Sequence, residues 1–417
     1  MEFLKKYSLL ATIFFCFAII FTSYFGGLRI PFYKIFQLLF IIFSILSFNK
    51  NRLTNNSKHF FIQENIFIFL VILFFIKILS GLVIIFNNYG PNTFDQYFKW
   101  VIVDGVDLLF YYYFIKYVLE STASVKKNII NTFALAIIAS CIFSIFQFTI
   151  YYLYKYNIVS LITNLPFIWS QEDILDAYAW GPILRIGGFM LGPNVHATTL
   201  CLLLPIVLYS KIFRFRPYIL FILFISLLFT LSRTGFVAFS VIIFLGLIYK
   251  KLSFKSVIYM GSLSTICLLF IYSNYSNIFD TILLRFNIQD AMGSRFDVFQ
   301  NSFLLFTSNP LGVGINNFSE VYYLEYGLRG FNPHSDWLTL LVELGVIGLT
   351  ATLIYYLYLL VITRIYSHVF TFPLFCIILS QCAAGFFNQT LVLFQTNLIM
   401  IMLYLYIISD PKNETFK

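Results

Sequence analysis

The sequence predicts an all-α fold: a polytopic membrane protein with about twelve transmembrane helices and two longer segments on one face. Three observations predict it. Apolar runs such as Ser8–Tyr24, Ile66–Phe86 and Val257–Tyr272 each span, or nearly span, a hydrocarbon layer of about 30 Å. Of 417 residues, 60% are hydrophobic and 11% charged, and 53 Phe with 29 Tyr supply rings that pack between helices and sit at the lipid–water boundary. The basic residues, finally, cluster in short connections beside helix ends, as membrane topology requires.

Candidate spans fall near 8–25, 31–47, 60–86, 101–118, 129–153, 195–210, 218–232, 235–249, 256–274, 336–362, 369–388 and 391–408. The first run is not followed by a small-residue cleavage site and reads as a retained helix. With both termini in the cytoplasm, alternation puts Lys5, Lys6, Lys50, Lys126, Lys127, Lys211, Lys250, Lys251 and Arg364 inside. The periplasmic side keeps few basic residues, chiefly Arg29, Lys99, Lys155, Arg185, Arg233, Arg285, Arg295 and Arg329. The spans that meet near 232–235 leave almost no connection, so they form a tight hairpin. Two periplasmic segments are long, 154–194 and 275–335, and work outside the membrane belongs there. No linker or repeat divides the chain, so residues 1–417 read as one integral membrane domain. The net charge of +9 is spread over loop ends, which argues against nucleic acid as a partner and for membrane lipids. The six cysteines, Cys16, Cys141, Cys201, Cys267, Cys376 and Cys382, lie in apolar runs without ligand-like spacing and read as small core residues.

The polar residues at the periplasmic ends carry the chemistry. Arg329–Gly348 places Arg329, His334 and Asp336 at the mouth of an apolar helix, where hydrocarbon excludes such groups unless they are paired or functional. Arg185, Arg233, Arg295 and Arg329 stand where the topology rule makes arginine scarce. Guanidinium groups bind phosphate in bidentate fashion, so their convergence suggests a diphosphate ligand. For each alone, a snorkelling anchor or a salt bridge to Glu172, Asp176 or Asp297 competes. His334 follows Asn332-Pro333 and precedes Ser335-Asp336, either of which can cap the next helix. Its imidazole can take a proton from an attacking hydroxyl, or it can be a structural histidine. Glu343 lies two helical turns beyond Asp336 and either pairs with a basic group or hydrogen-bonds in helix packing. Arg185–Asn194 reads as a close-packed, non-helical entry whose Asn194 faces a cavity, while His196 reads as buried and satisfied. Asp104 and Asp107 share a helix face; of a proton path, an ion site and a counter-charge for the arginines, the last is preferred. No HExxH, CxxC, Walker A or GxGxxG pattern stands in usable context, so no metal, nucleotide or dinucleotide cofactor is expected.

These elements, in this order, resemble the O-antigen ligase and O-antigen polymerase superfamily of bacterial membrane glycosyltransferases. The matching pieces are Arg185-Ile186-Gly187-Gly188-Phe189, Gly192-Pro193-Asn194, Ser232-Arg233-Thr234-Gly235, Gly293-Ser294-Arg295 and Asn309-Pro310-Leu311-Gly312-Val313-Gly314. Asn332-Pro333-His334-Ser335 and Glu343-Leu344-Gly345-Val346-Ile347-Gly348 complete them, and the whole covers roughly 180–350. The resemblance implies a glycan carried on undecaprenyl diphosphate in the periplasmic leaflet of the inner membrane. It implies transfer to a glycan or lipid A–core hydroxyl without metal or nucleotide sugar, and a chain-length regulator protein as a further partner. By that likeness Arg185, Arg233 and Arg295 hold the diphosphate and His334 activates the acceptor. Ser335 departs from the asparagine often found after this histidine, which makes Asn332 or Asp336 a substitute orienter. Polymerase is preferred over ligase because the family label spreads over many polysaccharide loci, an argument the residues do not themselves supply. A transporter is the rival from another class, although transporters commonly show repeated halves and helices broken at mid-membrane.

Overall fold

Proline punctuates this chain where helices begin, since its fixed φ suits the first helical turn and its missing N–H costs nothing there. Pro31 precedes helix α2 (Phe32–Leu46), Pro91 opens α4 (Pro91–Glu120) and Pro193 opens α6 (Pro193–Tyr209). The computed structural model describes residues 2–17, 22–25, 28–47, 57–87, 91–154, 179–180, 183–190, 192–210, 213, 216–255, 258, 262, 265, 269, 273, 289–327, 334–387 and 394–409. Its other helices are α1 (Glu2–Cys16), α3 (Ser57–Asn87), α5 (Ala123–Tyr154), α7 (Arg216–Thr230), α8 (Arg233–Ile248), α9 (Gln289–Ser308), α10 (Phe318–Tyr326), α11 (Asp336–Ile365), α12 (Thr371–Ala384) and α13 (Phe394–Ile408).

The fold is nearly all-α, with two small corrections. The span expected at 8–25 ends early: α1 stops at Cys16, and Thr22–Phe25 (β1) pairs antiparallel with Leu28–Pro31 (β2). Thr22, Tyr24 and Phe25 suit a strand better than a helix, and Phe25 pairs directly with Leu28. A second hairpin joins Ala179–Trp180 (β3) to Ile183–Leu184 (β4) inside the long 154–194 segment. The 275–335 segment contains α9 and α10. Of the span expected at 256–274, Ile258, Ser262, Thr265, Leu269 and Ser273 are described, each helical and exposed.

Among the described residues, Ala123–Tyr151 and Asp336–Ile365 are long and apolar enough to cross a membrane outright. Shorter apolar helices stand at Phe32–Leu46, Asn65–Gly81, Pro193–Tyr209, Pro217–Thr230, Arg233–Ile248, Thr371–Ala384 and Phe394–Ile408. The count of twelve crossings is therefore carried only in part. The distribution of side chains supports lipid around the bundle. Ile68, Ile72, Phe75 and Leu79 form an exposed apolar stripe on α3, and Ile354, Leu357 and Val361 another on α11. The polar groups Gln37, Gln147, His196, Gln381 and Asp336 are fully buried. Water would expel such stripes, whereas hydrocarbon accepts them and drives the polar groups inward.

Helices α6, α7, α8 and α12 pack together, with α5 against α7; α1 packs on α2 and α5, and α2 on α4; α13 bridges α4 to α12 and α6, and α11 touches α3, α9 and α12. Helix α11 is not continuous. Gly345 sits at φ 66°, ψ −168°, a region open in practice only to glycine, and breaks the ladder. The loop after α9 repairs it: Val313 and Gly314 N–H donate to the Val342 and Glu343 carbonyls at 2.9 Å each, and Val346 N–H donates to the Pro310 carbonyl at 3.1 Å. The two backbones approach so closely that a Cβ on Gly345 would collide with the Leu311 carbonyl carbon and the Pro310 oxygen, and one on Gly312 with the Glu343 oxygen. Ile315 then packs with Tyr97, Leu340 and Leu344 to seal the crossing.

Gly345→Ala is therefore expected to cost about 2 kcal/mol or more, read as a lowered unfolding midpoint in detergent. Gly105→Ala, where the new Cβ would rest 3.6 Å from the Phe74 ring in mid-helix, is expected to leave the midpoint unchanged or raise it slightly.

Candidate functional site

Asn194 joins two arginine-bearing segments that are far apart in sequence. It lies in the first turn of α6, after extended Gly192 and with Pro193 at the first helical position. Upstream, residues 185–190 run without regular structure and are pinned to α5. Phe189 N–H donates to Ser140 Oγ at 3.0 Å, and the Phe189 ring stacks on Phe143 with centroids 4.5 Å apart. This fixes Arg185, which is buried, with its Nη2 donating to Asn194 Oδ1 at 2.6 Å. The same oxygen accepts from Ser232 Oγ at 2.8 Å. Ser232 is also the N-cap of α8, its Oγ accepting from Gly235 N–H at 3.2 Å. Arg233, partly exposed, is the first residue of that helix. Leu231 takes φ 49° to close the tight α7–α8 hairpin, in agreement with the expected near-zero connection.

His334 stands at the mouth of α11, exposed, with a left-handed φ of 47°. Such a backbone costs about 1 kcal/mol for a residue with a Cβ and must be imposed by its neighbours. The residues that follow supply the constraint. Ser335, not Asp336, is the N-cap: its Oγ accepts from Leu338 N–H at 3.4 Å and donates to the Gly385 carbonyl at 3.2 Å. Asp336 N–H donates to the same carbonyl at 2.7 Å, and Trp337 Nε1 to the Cys382 carbonyl at 3.0 Å. The start of α11 is thus stapled to the end of α12. One turn before that end, Gln381 Nε2 donates to the Thr198 carbonyl at 3.1 Å and ties α12 to α6.

These bonds place the N-termini of α6, α8 and α11 at one end of the bundle. Each carries a partial positive charge, so the assembly with Arg185 and Arg233 can bind an anion. Asp336, buried in the first turn of α11, sits where that helix end stabilises negative charge.

Other expected residues fall elsewhere. Arg295 lies on α9, and its side chain is outside the described residues, as are Arg329, Asn332, Glu172 and Asp176. Asp297 is exposed on α9. Glu343 is buried and accepts the Phe318 N–H at 3.3 Å, so it takes the packing role among its two readings. His196 is buried between Ser226 Oγ, 3.1 Å from Nε2, and Ser140 Oγ, 3.4 Å from Nδ1. Asp104 and Asp107 are corrected: among the described residues they pair with lysines and not with arginines. Lys77 pairs with Asp104 at 2.8 Å, and Asp107 accepts from Lys34 and Gln37, so the carboxylates meet lysines from α3 and α2 inside the bundle. A cavity of about 120 Å³ adjoins them, lined also by Thr352, Tyr355 and Asn397. The lysine partners were missed because helix-to-helix register is not readable from one sequence. The Ser232 cap was legible, since a serine three residues before Gly235 at a helix start is a capping signal.

Residues 218–353 match the family described as O-antigen ligase. The matched stretch runs from α7 to the middle of α11 and holds Arg233, Arg295, Arg329, His334, Asp336 and Glu343, whereas Arg185 and Asn194 precede it. No curated protein matches the chain.

If one oxygen couples the two segments, Asn194→Ala and Ser232→Ala should not be additive. Thermal unfolding of both single variants and the double variant is expected to give a coupling of about 1 kcal/mol. Additive losses would separate the two contacts.

Proposed function

We propose, from the O-antigen ligase family region that the chain carries over residues 218–353, that this protein transfers a glycan from a polyprenyl diphosphate to a sugar hydroxyl. The observation that carries the reading is the Asn194 bridge, which sets the buried Arg185 guanidinium beside the helix start bearing Arg233. A diphosphate leaving group gathers negative charge as its bond to sugar breaks, and fixed guanidinium groups with aligned helix N-termini stabilise charge there without reorganising. Arg185 and Arg233 serve as the clamp, and Arg295 joins it from α9.

The acceptor oxygen attacks the anomeric carbon. The bond from that carbon to the diphosphate oxygen breaks, its electron pair stays on the diphosphate, and His334 takes the hydroxyl proton. Exposure of His334 at the bundle end leaves it open to an acceptor arriving from water. No metal or nucleotide sugar enters this scheme. The donor is undecaprenyl-diphosphate-linked glycan, the active site is periplasmic, and both termini are cytoplasmic. The acceptor is a second lipid-linked glycan, which makes the enzyme a polymerase that works with a chain-length regulator. The alternative is a ligase that uses lipid A–core as acceptor. A deletion strain separates the two: single-repeat caps on the core mark a lost polymerase, accumulated lipid-linked polymer a lost ligase.

His334→Ala is expected to insert normally and to lose transfer by about 100-fold or more, read as surface glycan in cells carrying only that variant. Arg233→Lys is expected to fall by about tenfold, because a point charge does not reproduce the bidentate fork. Glycan of normal length in the first case, or full activity in the second, removes that residue from the scheme.

A further inference from the structure

Glu343 performs a task that neither the family match nor the diphosphate reading assigns. Its carboxylate is buried one turn from the α11 break, yet it does not neutralise a lysine: Lys77, whose field reaches it, is held by Asp104 at 2.8 Å. What it accepts is backbone. Phe318 N–H donates to Oε1 at 3.3 Å. That amide is the first donor of α10, and Asn317, the N-cap residue of that helix, makes no side-chain cap of its own. Glu343 supplies the cap from another helix, with its charge at the positive end of α10.

The neighbouring bonds act in the same direction. Glu343 offers its backbone carbonyl to Gly314 N–H while its side chain takes the Phe318 amide, so one residue grips both ends of the Gly314–Phe318 turn. Val342 packs against Phe318, Val321 and Tyr322, and Tyr322 hydroxyl accepts from Asn301 Nδ2 at 3.0 Å, which carries the grip into α9. Nine residues separate Glu343 from His334, about 13 Å along a helix, and the nine residues of α10 are about 13 Å long. From the last of them the chain needs only eight residues to reach His334.

We propose that Glu343 is a positioning residue: its carboxylate anchors the N-terminus of α10 at the break in α11 and thereby holds the α9–α10 unit against the substrate-binding end of the bundle. The proposal rests on the glycosyl-transfer reading only for its effect on substrate. Glutamine keeps an oxygen that accepts the same amide, and leucine does not, so Glu343→Gln and Glu343→Leu separate anchoring from charge.

Two readouts are taken on the full chain in detergent, per folded molecule. Amide hydrogen exchange over 314–326 is expected to accelerate about tenfold in Glu343→Leu and to stay near wild type in Glu343→Gln, with α6 and α12 unchanged in both. KM for a lipid-diphosphate-linked donor is expected to rise about fivefold in Glu343→Leu with kcat nearly constant, and Glu343→Gln to match wild type. Unaltered exchange in the leucine variant overturns the anchor. A glutamine variant as impaired as leucine overturns it in favour of a role for the charge. Faster exchange with unchanged KM overturns the link to substrate. Should wild type transfer nothing, the functional reading falls, and exchange by itself still decides the anchor.

Discussion

Hydrocarbon tolerates no unsatisfied backbone polar group, and the break in α11 is shaped by that constraint. A helix interrupted at Gly345 exposes carbonyls and an amide that water cannot reach. The chain answers with a second backbone, the Pro310–Gly314 turn, whose amides and carbonyl complete the ladder. Both crossing points are glycine because two main chains cannot come this close around a Cβ. The Asn309–Gly314 and Glu343–Gly348 pieces of the sequence are the two halves of one joint.

From that joint the architecture runs outward to the candidate site. Above the break, α11 reaches its mouth at His334, and the Ser335 and Asp336 contacts with Gly385 fix its direction against α12. Gln381 continues the tie to α6, and Asn194 continues it to α8. Each tie uses a main-chain carbonyl or a side-chain amide, groups that hold geometry without adding charge. The charges at this end are the guanidinium groups of Arg185 and Arg233, proposed to meet a diphosphate, beside the buried Asp336. The Lys77–Asp104 and Lys34–Asp107 pairs, in contrast, neutralise one another deeper in the bundle, where an unpaired ion would be costly.

Much of this was legible in the sequence because the signals were local. Apolar runs located helices, Pro193 stood just before an expected span, and Leu231–Gly235 announced the tight hairpin, whereas α4 begins at Pro91, ten residues before the span expected at 101–118. The early end of α1 was hidden because the apolar run of the sequence continues through Phe17–Phe21 up to Thr22–Phe25, and hydropathy alone does not tell a strand from a helix in a short run. The candidate site was legible as residue types at helix ends. Its wiring was not: that Asn194 spends one oxygen on two segments, or that Asp104 meets Lys77 rather than an arginine, depends on the rotation of each helix against its neighbours. Glu343 shows the same limit, since two turns from Asp336 fixed its face and depth but not its backbone partners.

The account's central claim is that the gathered helix starts and guanidinium groups bind a diphosphate. Calorimetric titration of the purified protein with a short-chain polyprenyl diphosphate, and with the matching monophosphate, tests it most directly. The account predicts that the diphosphate binds more tightly, and that Arg185→Ala loses about tenfold in affinity for it while barely altering the monophosphate. Equal affinities for the two ligands, or an Arg185→Ala variant that binds the diphosphate like wild type, would contradict it.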